Sequence, residues 1–167
     1  MKLVIVDANV LIYLAEIKKL NSLFNSYTIY LPRAIFEEVK YFIDKDTGER
    51  ISINLSLYQK NERLRILESL DIEEAGKLKE RIGQYGIELH PGELEAIYYV
   101  LKDEFTFCSA DGAAIKSLAI LGVESKGISL EKLMGGKFRK MRQEYTERFF
   151  KSMIKAGILL KIQGFNH

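Results

Sequence analysis

Four carboxylates stand where an α/β protein displays its chemistry, just past a strand or in the first turns of a helix. Asp7 directly follows the apolar run KLVIV, and Asp111 follows FTFCSA in the same manner. A charge placed there is costly unless it reaches solvent or a cation. Glu93 lies in the first turn of the stretch PGELEAI, and Glu38 lies on PRAIFEEV. Asn9 and Ser109 are small polar neighbours of the two aspartates, and the Ser109 hydroxyl suits holding a carboxylate or a metal-bound water. Taken singly, Asp7 and Asp111 also read as helix N-caps and Glu93 as the complement of a helix dipole. Converging without a nearby Lys or Arg, these carboxylates would repel one another unless a divalent cation neutralised them. Oxygen-only ligands select Mg²⁺ or Mn²⁺. That is metal-dependent phosphoryl chemistry. Glu95 and Glu37 are close rivals on the same helices, so the choices between Glu93 and Glu95, and between Glu37 and Glu38, stay open.

The elements that must position these groups are legible as alternation. Lys2 to Val6 reads as a strand covered on both faces, and the apolar series Val10, Tyr13, Leu14, Ile17, Leu20, Phe24 reads as the following helix. Tyr27 to Leu31 is a second strand ended by Pro32, and Ala34 to Phe42 a second helix with Ile35, Val39 and Phe42 on one side. Asp44 to Arg50 is turn-rich, while Ile51 to Leu57 and Arg63 to Leu70 read as short strands whose patterns also admit helix. Ile72 to Ile82 is an amphipathic helix ending at Gly83 or Gly86, and Pro91 opens a helix to about Lys102. Phe105 to Ser109 is a strand, Asp111 to Leu121 a helix ended by Gly122, Val123 to Lys126 a short strand, and Leu130 to Met134 a turn of helix. Phe138, Met141, Tyr145, Phe149 and Met153 recur at helical spacing up to Gly157, which predicts a long basic amphipathic helix. A parallel sheet with crossover helices is the expected architecture.

Composition narrows the class. The 167 residues are 47% hydrophobic and 29% charged with 2 Pro, which excludes a disordered or collagen-like chain. With Cys108, His90 and His167 as the whole Cys/His set, neither a disulfide framework nor a Cys/His zinc site can be assembled, and a reducing, cytoplasmic setting is expected. The apolar stretch Leu3 to Leu14 carries Asp7 and Asn9, which a membrane span would not tolerate cheaply. Up to Asp111, 14 Lys and Arg face 19 Asp and Glu, a balance of −5, whereas from Gly112 onward 11 face 4, a balance of +7. A basic tail beside an acidic body suits a polyanion meeting a cation site, or simply a solvated helix face. The turn after the first strand, DANVLI, lacks a dinucleotide fingerprint; no P-loop or G-x-S-x-G elbow occurs, and Asn9 stands where a haloacid-dehalogenase-type phosphatase needs a second Asp.

VDANVLIYL, LPRAIFEEV, PGELEAIYYVLK and FCSADGAAIKSLAILGV, taken in this order over roughly residues 1–130, resemble the PIN-domain nucleases, and within them the prokaryotic group that includes VapC-type toxins. The resemblance implies a three-layer α/β/α fold with a central parallel sheet over residues 1–135, followed by a helical extension, residues 136–167, packed on the same domain. It implies an endoribonuclease using Mg²⁺ or Mn²⁺, with Asp7, Glu38, Glu93 and Asp111 as metal-binding carboxylates and Asn9, Ser109 and Glu95 in support. The expected partners are RNA, a small antitoxin protein and a second copy of the chain, with Lys116, Arg139, Lys140 and Arg142 as phosphate contacts. Housekeeping RNA processing and a catalytically inactive binding module are the competing readings.

Overall fold

The computed structural model of the chain describes residues 3–136 and 140–164. Five strands form one parallel sheet: β1 (Leu3–Val6), β2 (Ile29–Pro32), β5 (Leu64–Leu67), β6 (Phe105–Cys108) and β7 (Gly127–Ile128), in the order β5-β2-β1-β6-β7. Helices on both faces complete three layers. They are α1 (Ala8–Glu16), α2 (Leu20–Ser26), α3 (Arg33–Glu38), α4 (Ser56–Lys60), α5 (Ile72–Gly83), α6 (Pro91–Lys102), α7 (Gly112–Ile120), α8 (Leu130–Leu133) and α9 (Glu147–Gln163). The continuous apolar run of β1 is explained by this coverage, since Val4, Ile5 and Val6 are wholly buried.

The chain leaves β1 towards β2 and β5, then crosses back to β6 and β7 on the other side. The strand order therefore reverses between β1 and β6, and open α/β sheets bind ligands in the crevice at such a point. Register fixes the pair closely: Val6 lies opposite Cys108, and the Asp7 amide donates to the Cys108 carbonyl at 2.9 Å. Asp7 and Asp111 thus leave neighbouring strands at the same edge.

Several sequence expectations are corrected. The first helix divides into α1 and α2, because Lys18 takes a left-handed conformation (φ 59°) and the amides of Lys18 and Lys19 close on Ala15 and Leu14. This is the hydrogen-bond pattern that usually needs Gly, so composition gives no warning of it. The second helix stops at Glu38 rather than Phe42. Phe42 instead sits in β3 (Tyr41–Ile43), which pairs antiparallel with β4 (Arg50–Ser52) in a separate two-stranded ribbon. Residues 124–126 form a 3-10 turn, and the short strand begins only at Gly127. The long basic helix starts at Glu147, where the Thr146 hydroxyl accepts from the Phe149 amide; a 3-10 turn, Gln143–Tyr145, precedes it. Of the residues in the tail pattern, Phe138 and Arg139 lie outside the described residues.

Gly157 does not end α9, which continues to Gln163 and is capped by Gly164 at φ 62°. It lies at the crossing of α9 with α7. A Cβ built on Gly157 would meet the Lys116 carbonyl oxygen at 2.5 Å and the Ala119 Cβ at 2.8 Å. The first of these is backbone, which cannot swing aside. Helix propensity alone would make Gly157→Ala stabilising by up to about 1 kcal/mol. The clash outweighs it, and the variant is expected to lose about 1–3 kcal/mol in urea unfolding. A neutral or stabilised variant would show that the two helices are free to separate.

Candidate metal centre at the sheet edge

Asp7 occupies the N-cap position of α1, yet its side chain caps nothing there. Its Oδ2 instead accepts from the Ser109 hydroxyl at 3.0 Å, and the same Ser109 oxygen accepts from the Asp111 amide at 3.0 Å. Ser109 therefore ties the ends of β1 and β6 together. Asp7 is only 4% exposed, and burial, set against the Ser109 hydrogen bond and reinforced by the Asp111 charge, pushes its carboxyl up to about 6. Asp111 behaves differently: its Oδ1 accepts from the Ala114 amide at 2.9 Å, so it does cap α7.

Glu93 is the third member. Pro91 starts α6 one residue before Gly92, and this places Glu93 in the first turn, 6% exposed. Its Oε2 is buried without a hydrogen-bond partner. Burial first, then the charges of Asp111 and Asp7, push the Glu93 carboxyl up to about 8. Among the described residues no Lys or Arg forms an ion pair with Asp7, Glu93 or Asp111. Burial, the neighbouring charges and a hydrogen bond with the Asp111 side chain favour the protonated form of Glu93 instead.

The remaining residues fall around this trio. Glu38 is exposed at the last position of α3, and its Oε2 lies 3.1 Å from where a Cβ on Gly92 would be. It stands at the rim, brought close because residue 92 has no side chain; sequence reasoning passed over that glycine, although its place immediately before Glu93 was visible. Glu95 turns away from the trio: it accepts from the Ala34 amide at 3.4 Å, and burial together with the Glu37 charge raises it. Asn9 is exposed in the first turn of α1. Lys116 is half-buried on α7. Lys140, Arg142, Tyr13, Glu16, Phe42 and Met141 line part of a groove of about 710 Å³ along the C-terminal half of α1 rather than over the carboxylates. Arg142 is already paired with Glu16 at 2.8 Å, and Arg139 is outside the described residues.

Among the described residues, no three acidic, His or Cys side chains stand close enough, as arranged, to hold a metal ion. The donor set nonetheless suits a hard divalent cation. It consists of oxygens alone, one of them orphaned in the interior, and two of its carboxyls are held well above their usual range by burial first and then by neighbouring carboxylate charge. Cys108 offers no alternative chemistry, since its thiol is buried and held far above the normal range.

Residues 3–163 match a family model described as DUF3368: PIN domain. No curated protein and no solved structure matches the chain. Among the described residues no helix is long and apolar enough to cross a membrane.

The raised carboxyls make stability depend on pH in a defined direction. Between its ordinary value of 4.5 and about 8, folded Glu93 holds a proton that the unfolded chain has released, and Asp7 does the same between 3.8 and about 6. The folded state binds more protons there, so stability is greatest below pH 4 in this respect and falls as pH rises to 8. Metal-free protein is expected to lose melting temperature from pH 5 to pH 8, and Glu93→Gln, a permanent mimic of the protonated acid, should flatten that decline. A variant whose melting temperature falls as steeply as the wild type would show that Glu93 ionises without strain.

Proposed function

Because this chain belongs to the PIN-domain family, we propose that it is a metal-dependent endoribonuclease that hydrolyses RNA phosphodiesters as the toxin of a toxin–antitoxin pair. PIN domains are generally nucleases, and such domains typically use divalent metal ions. The observation that carries the reading is the buried Glu93, with Oε2 lacking a partner and the carboxyl in the field of Asp7 and Asp111, none of the three being paired with Lys or Arg among the described residues. A buried group of this kind is a functional liability with no structural return.

In this reading Asp7, Glu93 and Asp111 hold Mg²⁺ or Mn²⁺, with Glu38 reaching in from the rim. When bound there, such a cation would supply an activated water and charge stabilisation for phosphodiester hydrolysis. Ser109 orients the Asp7 carboxylate by donating to its Oδ2, which fixes the direction of the oxygen left free. Glu93 releases its proton as the site is loaded, so loading is favoured by rising pH. Lys116 and the exposed Lys140 are the side chains assigned to substrate phosphates; neither is engaged in an ion pair among the described residues. A small antitoxin protein is the proposed partner, and a second copy of the chain would cover the exposed Ile158, Leu159 and Ile162 of α9. The single buried Cys108 suits the reducing cytoplasm, where we place the protein.

Asp7→Asn tests the reading because it removes a ligand charge and leaves an oxygen to accept from Ser109. RNA cleavage with Mn²⁺ is expected to fall by about two orders of magnitude or more. The melting temperature of the metal-free protein should hold or rise by roughly 2–5 °C, since like-charge repulsion is relieved. Cleavage that survives this substitution, or that proceeds undiminished in EDTA, would overturn the mechanism. Growth arrest on expression, relieved by the product of a small neighbouring gene, separates a toxin from an enzyme of housekeeping RNA processing.

A further inference from the structure

The tail of the chain returns to the first helix at the point where the candidate site begins. Tyr145, 4% exposed, stacks flat on Tyr13 with ring centroids 4.1 Å apart and an interplanar angle of 7°. Its hydroxyl donates to the main-chain carbonyl of Asn9 at 3.2 Å, across a separation of 136 residues. The Arg142 guanidinium lies 5.1 Å from the centre of the Tyr13 ring and pairs with Glu16 at 2.8 Å. Asn9, Tyr13 and Glu16 follow one another at i, i+4 and i+7, so they form a single stripe of α1. Residues 142–145 grip that stripe from the first turn of the helix to the last.

The first turn of α1 is also the mount of Asp7. The Asp7 carbonyl accepts from the Leu11 amide at 3.1 Å, and its own amide is fixed to Cys108 across the sheet. The amides of Ala8 and Asn9 are near enough to favour the ionised form of its carboxylate. A rotation of this turn would carry the carboxylate with it. Ser109 holds the far oxygen, but one hydrogen bond does not set a direction alone. Burial above all, with the Glu144 charge, keeps the Tyr145 phenol well above its ordinary range, so it is a permanent donor.

We infer that Tyr145 is a positioning residue: by holding the Asn9 carbonyl it sets the first turn of α1 and thereby the direction in which Asp7 presents its carboxylate to Glu93 and Asp111. The inference rests on the metal-nuclease reading of that cluster. It assigns the tail a part in building the site, with Arg142 spent on the clamp instead of on RNA.

Tyr145→Phe removes the hydroxyl and keeps the stack, so it separates positioning from packing. Mn²⁺ affinity, measured by titration calorimetry on the full chain, is expected to fall roughly three- to tenfold, the loss of about one hydrogen bond. Hydrogen exchange of the α1 amides should speed up, and kcat should fall while KM for RNA stays put. Arg142→Gln frees the same stripe at its other end and should move Mn²⁺ affinity in the same direction. Unchanged Mn²⁺ affinity and unchanged α1 exchange in both variants, whatever happens to the melting temperature, would reduce the clamp to a core contact. Asp7→Asn run beside them distinguishes the two levels. Mn²⁺ binding that survives in Asp7→Asn sinks the nuclease reading itself, whereas binding lost there but kept in Tyr145→Phe sinks only the positioning role.

Discussion

The structure turns on one buried charge. Asp7 sits at the end of the central strand pair, 4% exposed, with Ser109 as its hydrogen-bond donor and two other carboxyls in its field. Burying an ionisable group there opposes folding, and the sheet must be stable enough to impose it. Wholly buried Val4, Ile5 and Val6 on β1 and Phe107 and Cys108 on β6 supply that rigidity. Because the strand order reverses between these two strands, Asp7 and Asp111 leave the sheet side by side at the kind of edge where open α/β sheets bind ligands in a crevice.

Electrostatics in this crevice are arranged as a set of differences. Asp111 is hydrogen-bonded to the start of α7, Asp7 to a hydroxyl, and Glu93 has one oxygen with nothing. Burial above all, then the charges of Asp111 and Asp7, drives Glu93 higher than Asp7, to about 8 against about 6. Glu93 is thus mostly protonated at neutrality, and loading of the proposed cation site would require that proton to leave. Structural ion pairs elsewhere in the chain show the contrast: Lys102 with Glu74 and Arg33 with Glu68 join opposite charges at the surface and create no such demand.

The peripheral segments serve the same crevice from outside. Gly92 lets α3 approach α6 closely enough for Glu38 to reach the rim, and Gly157 lets α9 lie against the backbone of α7, the helix that Asp111 caps. Residues 142–145 then close on α1, the helix that Asp7 begins. Each of the three helices carrying or following a carboxylate of the cluster is thus fixed by a contact distant in sequence.

The amino-acid sequence alone specifies the alternation of strand and helix, the edge at which Asp7 and Asp111 emerge, and helix α6 from Pro91 to Lys102, because these follow from local period, strand-covering apolar runs and a proline at a helix start. It determined that the candidates were carboxylates. Which of them face one another was decided only by the tertiary structure. Glu93 and Glu95 are two positions apart, roughly 200° around a helix, and their roles depend on which side of α6 meets β6 and α7 and which meets α3. The break at Lys18, the pairing of β3 with β4 and the late start of α9 also escaped local reading. The first needs a left-handed lysine, the second pairs strands too short to show a period, and the third depends on a tail whose apolar residues are divided between Tyr13 and α7. Local patterns fix what a segment can be; contacts between distant segments choose what it faces.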